Sequence, residues 1–164
     1  MSEYYKYYLL LGSNLGDKEG VILRAVEELS KYALKRPRRS AFYVTEPWGF
    51  ESEELFYNMA LELESNLSPS NMISAIGEIE ERLGRVREGK GYTSRIIDID
   101  ILFCDDKIVE TPELIIPHPR VHLRNFALIP MAELNGELLH PRLGLTINEL
   151  IKECQDKLLV KKVS

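Results

Sequence analysis

Two carboxylates separated by one apolar residue, Asp98 and Asp100, stand in the run Arg95-Ile96-Ile97-Asp98-Ile99-Asp100-Ile101-Leu102-Phe103. Side chains alternate along an extended chain, so both carboxylates fall on one face, about 6–7 Å apart, while Ile97, Ile99 and Ile101 point into a core. Paired carboxylates on an apolar strand repel each other and resist burial. A divalent cation relieves both costs. Magnesium takes oxygen ligands, keeps several waters and is commonly shared between one or two carboxylates and phosphate oxygens. Two such ions could clamp the attacking and leaving oxygens of a displacement. The plain alternative is a strand face with two solvated aspartates. Arg95, read as opening the same strand, favours chemistry on a phosphate-bearing substrate.

Further polar groups suit that chemistry. Arg82, Arg85, Arg87, Lys90 and Arg95 put five basic residues within fourteen positions, against the single acid Glu88. Guanidinium forks match phosphate oxygens, and Gly89 and Gly91 would let this basic loop close over a ligand; a solvated turn is the alternative. Pro47-Trp48-Gly49 with Phe56 and Asn58 could form a flat aromatic pocket, the rings stacking on a heterocycle and the amide reading its edge. Equally, Trp48 and Phe56 could be core residues. His118, held between Pro117 and Pro119, could donate to a phosphate or lie at a surface turn. The chain contains no G-x-x-x-x-G-K-[ST], G-x-G-x-x-G or G-x-S-x-G motif, so a nucleotide would be held by side chains and metal.

The elements that must position these groups follow from periodicity. Tyr4 to Leu11 reads as a strand, broken by Gly12-Ser13-Asn14-Leu15-Gly16-Asp17, with Asp17 capping a helix that carries Ile22, Ala25, Val26, Leu29 and Ala33. Strands are predicted over 40–45 and 56–63. Ser68 and Pro69 open a second helix with Met72, Ile76, Ile79 and Leu83 on one face, ended by Gly84. The Asp98 strand follows, then a short strand at 107–109, a helix over 123–134 shortened or kinked by Pro130, and a last helix opened by the capping box Thr146-Ile147-Asn148-Glu149. The tail after Asp156 is expected to fray. This β-α-β-β-α-β order is that of an α+β, ferredoxin-like sheet with helices packed on it, in a single domain over residues 1–164.

Bulk properties agree. With 164 residues, 45% hydrophobic and 29% charged, the chain suits one domain with a substantial core. A formal charge of −5 argues against a general nucleic-acid binder. No run approaches the ~20 apolar residues of a membrane span. Cys104 and Cys154 fit no metal spacing and read as reduced, unpaired residues of a cytoplasmic protein.

Taken together, Gly12-Ser13-Asn14-Leu15, Phe42 through Gly49, Phe56-Tyr57-Asn58, Gly84-Arg85-Val86-Arg87, Arg95 through Asp100 and Pro117-His118 resemble, in order, the 6-hydroxymethyl-7,8-dihydropterin pyrophosphokinase family of folate biosynthesis. The resemblance implies transfer of the β,γ-pyrophosphoryl unit of ATP to a pterin alcohol, releasing AMP, in a cytoplasmic enzyme expected to be monomeric. It implies two magnesium ions on Asp98 and Asp100, with Arg85 and Arg95 stabilising charge during transfer. It assigns ATP contacts to Glu80, Arg87, Ile101, His118 and Arg124. The pterin is expected between Phe56 and Phe126, with Thr45, Trp48 and Asn58 reading its edge and Tyr92 stacking over it. Two departures stand out: Gly91-Tyr92-Thr93 replaces a basic residue, a tryptophan and a glycine, and Pro119 replaces an aromatic. A non-catalytic ferredoxin-like binding module and a nucleotidyltransferase are the rival readings.

Overall fold

The computed structural model describes residues 3–45, 55–88 and 92–163, with side chains at all of these except 84–88 and 92–95. In chain order the strands and helices are β1 (Tyr5–Ser13), α1 (Lys18–Ser30), β2 (Arg38–Arg39), β3 (Phe42–Thr45), β4 (Phe56–Ser65), α2 (Pro69–Gly84), β5 (Arg85–Glu88), β6 (Tyr92–Arg95), β7 (Asp98–Cys104), β8 (Val109–Glu110), β9 (Ile115–Ile116), α3 (Asn125–Asn135), α4 (Ile147–Glu153) and β10 (Val160–Val163). A single 3₁₀ turn, Val121–Leu123, precedes α3.

The central sheet runs β10-β3-β4-β1-β7, and β2 also pairs with β4. Without the short β2 and the added β10, this is the antiparallel ferredoxin-like order that the β-α-β-β-α-β reading predicts. Local chemistry sets the helix starts. Asp17 accepts the Gly20 N–H at 3.1 Å, Ser68 Oγ accepts the Asn71 N–H, and Thr146 and Glu149 form the reciprocal capping box. Pro130 lies inside α3 without ending it.

Alternation along the strands gives the sheet two different faces. Leu9, Leu11, Met59, Leu61, Ile99 and Ile101 point to one, where Val21, Ile22, Ala25 and Leu29 of α1 and Met72, Ile76 and Ile79 of α2 seal them. Tyr8, Leu10, Ala60 and Leu102 point to the other, covered by Ala127, Leu128 and Met131 of α3 and Ile147 and Leu150 of α4.

Four expectations change. The first strand does not break at Gly12; it continues through Ser13 because both residues pair with β4, Gly12 with Asn58 and Ser13 with Tyr57. The strand read from Arg95 to Phe103 is two elements, since β6 ends at Arg95 and the fully buried Ile97 anchors the break before β7. The basic loop is a two-stranded ribbon in which β5 and β6 pair. The tail is not frayed. Asp156 accepts the N–H groups of Asn125 (3.0 Å) and Leu158 (2.9 Å), and β10 pairs with β3, which satisfies an otherwise open sheet edge.

Candidate active site

Register brings the sequence candidates onto one face. Tyr43 of β3 pairs with Asn58 of β4, Asn58 with Gly12 of β1, and Gly12 with Asp98 of β7. The four positions form one row across four strands, and directly paired residues share a face. The neighbouring row carries Ala60, Leu10 and Asp100. Thr45 and Phe56 pair with each other one step beyond Tyr43 and Asn58, on the same face. The expected heterocycle readers and the carboxylates are therefore neighbours on a single surface.

Gly12 is the gap between them. A Cβ at this position would lie 2.8 Å from Asn58 Oδ1, so glycine lets the Asn58 side chain lie in the row. Asn58 is buried, and its Nδ2 donates to Thr45 Oγ1 at 3.1 Å. With strands about 4.7–4.9 Å apart, Asn58 and Asp98 stand about 9–10 Å from each other across the glycine.

Asp98 is exposed and Asp100 half-buried, with Ile99 buried between them. Both are oxygen donors on one strand face, and that donor set fits magnesium shared with phosphate oxygens. Among the described residues no group of three or more His, Cys, Asp or Glu gathers around one point, so substrate oxygens and water would have to complete any shell. β7 is the sheet edge, and two of its backbone groups are engaged from outside the sheet: Ile99 donates its N–H to Glu80 Oε2 at 2.9 Å, and Leu102 accepts from the His118 N–H at 3.0 Å. Glu80 thus ties α2 to the residue between the two aspartates.

Beside this edge lies a cleft of about 290 Å³ lined by Ile73, Ile99, Asp100, Ile101, Pro112, Glu113, Leu114, Ile115, His118 and Pro119. Three expected nucleotide-side residues, Asp100, Ile101 and His118, meet there. The β8–β9 segment that supplies Pro112, Leu114 and Ile115 was not among the sequence candidates, because nothing in so short a hairpin announces its position. His118 Nδ1 accepts the Arg120 N–H at 3.1 Å, which leaves Nε2 as the ring's donor nitrogen. Burial, aided by Arg124 and Arg120, pushes the His118 pKa down to about 4, so near neutrality it is a neutral donor. Burial and Arg120 likewise lower Arg124, while the Asp100 carboxylate acts in the opposite sense. Arg124 Cζ lies 5.5 Å from the centre of the Phe126 ring.

Trp48 lies outside the described residues. The backbones of Arg85, Arg87, Tyr92 and Arg95 are described and their side chains are not. Position 85 pairs with position 95 and position 87 with position 93, with the 86–94 pair between them, so the three arginine positions fall in two alternate rungs of one ribbon.

Residues 8–136 match the family model described as 7,8-dihydro-6-hydroxymethylpterin-pyrophosphokinase. A Bacillus subtilis relative, 2-amino-4-hydroxy-6-hydroxymethyldihydropteridine pyrophosphokinase, is 40% identical over 128 residues, covering 77% of this chain and 76% of its own. A Pneumocystis carinii folic acid synthesis protein is 39% identical over 150 residues, 91% of this chain but 20% of that longer protein. Among solved structures, a Plasmodium falciparum HPPK-DHPS chain with pteroate superposes with a TM-score of 0.74 at 18% identity, covering 93% of this chain and 43% of that one; this likeness speaks for the fold.

Proposed function

This chain belongs to the 7,8-dihydro-6-hydroxymethylpterin-pyrophosphokinase family, and from that membership we propose that it transfers pyrophosphate from ATP to 6-hydroxymethyl-7,8-dihydropterin in folate biosynthesis, yielding AMP and the pterin diphosphate. The observation that carries the reading is the row Asn58, Gly12 and Asp98 on one sheet face, with the cleft at Asp100, Ile101 and His118 beside it. The first fits a flat, hydrogen-bonding substrate and the second a nucleotide.

In this reading the pterin lies between Phe56 and Phe126, and Asn58, ordered by Thr45, meets its edge. The family resemblance assigns Trp48 and Tyr92 to the same substrate. The hydroxymethyl arm crosses the space above Gly12 toward the carboxylates. Glu80, Arg87, Ile101, His118 and Arg124 hold ATP, His118 as a neutral donor through Nε2. Arg85 and Arg95, paired with each other in one rung of the ribbon, are assigned to stabilise charge that builds on the transferring group. The hydroxyl then attacks the β-phosphorus in line, and AMP leaves. Most of the rate comes from positioning and fixed charge. Magnesium held by Asp98 and Asp100 would neutralise phosphate charge and lower the pKa of the attacking hydroxyl.

The test is incubation with ATP, magnesium and 6-hydroxymethyl-7,8-dihydropterin, followed by identification of the nucleotide product. AMP with pterin diphosphate supports the reading. Free pyrophosphate would indicate nucleotidyl transfer, and absence of both ATP binding and turnover would leave only a binding module. Omission of magnesium is expected to abolish turnover. No described helix is long and apolar enough to cross a membrane. We further propose a cytoplasmic monomer, to be checked by fractionation and sedimentation.

A further inference from the structure

The family match ends at residue 136, yet a later segment touches both sides of the pocket assigned to the pterin. Asp156 Oδ2 accepts the Asn125 backbone N–H at 3.0 Å, and the Asp156 carbonyl accepts from Asn125 Nδ2 at 3.2 Å. Asn125 opens α3 immediately before Phe126, and Arg124 at the N-cap makes no side-chain cap of its own. A carboxylate from elsewhere therefore takes one of the helix's open donors and complements its positive end. The second Asp156 oxygen, Oδ1, accepts the Leu158 N–H at 2.9 Å, which turns the chain toward the sheet. Four residues after Asp156, Val160 pairs with Thr45. Thr45 also pairs with Phe56 and orders Asn58.

We propose that Asp156 is a positioning residue for the pterin pocket, and that residues 156–160 form a strap fixing the distance between the Phe126 wall and the Thr45–Phe56 wall. Four residues of chain reach at most about 13–14 Å. With one end bonded to α3 and the other laddered to β3, the walls cannot part further than that length permits. A pocket held at one width costs less to order around a flat ring, so the strap acts on pterin affinity. Its bonds run to Asn125 and its strand pairing to Thr45, and not to Asp100, Ile101 or His118 of the nucleotide cleft.

The inference rests on the proposed activity, and its test separates the two. In the ligand-free protein, the backbone amide of Asn125 is expected to exchange hydrogen faster in Asp156→Ala than in wild type, with Thr45 loosened as well. This arm is independent of any reaction. In the AMP-forming assay, Asp156→Ala is expected to raise KM for the pterin about tenfold, the equivalent of one lost charge-assisted bond, with KM for ATP and kcat within about twofold. Asp156→Asn keeps one acceptor oxygen and should fall between. Unchanged amide exchange, an equal rise in both KM values, or a loss confined to kcat would overturn the strap. Absence of AMP in wild type would instead remove the proposed activity while the exchange result still decides whether Asp156 holds the wall.

Discussion

On one face of the sheet, Leu9, Leu11, Leu61 and Ile101 lie sealed beneath α1 and α2. On the other, Leu10, Ala60 and Leu102 are covered by α3 and α4, but the next row carries Asn58, Gly12 and Asp98 in place of hydrocarbon. The same strands build both faces, and residues take their face by alternation, interrupted in β7 by a register shift that puts Leu102 and Phe103 on the same side. A sheet with one largely apolar face can hold an expensive polar row on the other, because the first supplies the stability that the second forgoes. If this division is right, changes on the two faces should fail in different ways.

The largest effect is expected at the carboxylates. Asp98→Ala or Asp100→Ala should lower kcat by about 10²–10³-fold while the thermal melt stays near that of wild type. Near-normal turnover in either variant would break the comparison at its polar side. On the apolar side, Leu61→Ala should cost about 2–5 kcal/mol in denaturant unfolding with kcat per folded molecule unchanged; a selective loss of turnover would show that this face also works in catalysis. Gly12→Ala sits at the boundary. Its methyl would crowd Asn58 Oδ1 at 2.8 Å, so KM for the pterin should rise about tenfold with little change for ATP, measured by varying each substrate separately.

The smallest effect is one of pH. His118 is pushed from its ordinary 6.5 down to about 4 in the folded protein. Between those values the unfolded chain binds a proton that the folded chain does not, so stability is complete above about pH 6.5 and falls as pH drops toward 4. His140, lowered by burial and by His122, acts with the same sign. Urea midpoints from pH 7.5 to 4.5 should therefore decline in wild type and decline less in His118→Gln. An unchanged slope would show that His118 is not held neutral by its surroundings.

Much of this was legible in the sequence for local reasons. The Asp17 and Thr146 caps bond to backbone three residues away, and the Asp98–Asp100 alternation is visible within three positions. The order of the four principal strands followed from the sequence of periodic segments. What was hidden depends on partners far along the chain. Gly12 looked like a turn because its value as a gap exists only once Asn58 and Asp98 flank it. Asp156 and Val160 gave no local signal, since Asn125 and Thr45 define their roles. The pairing of Arg85 with Arg95 likewise needed the ribbon's register, where the sequence suggested only a basic loop.

The rim of the sheet has a consequence outside catalysis. Unpaired strand borders recruit neighbouring chains into fibres. At β7 the outward groups of Ile99 and Leu102 are already occupied from within the molecule by Glu80 and His118. At the opposite limit stands β10, four residues long with Lys161 and Lys162 exposed. A neighbouring chain thus meets one border partly occupied from within the molecule and another that is short and carries two cations, both features that disfavour strand addition.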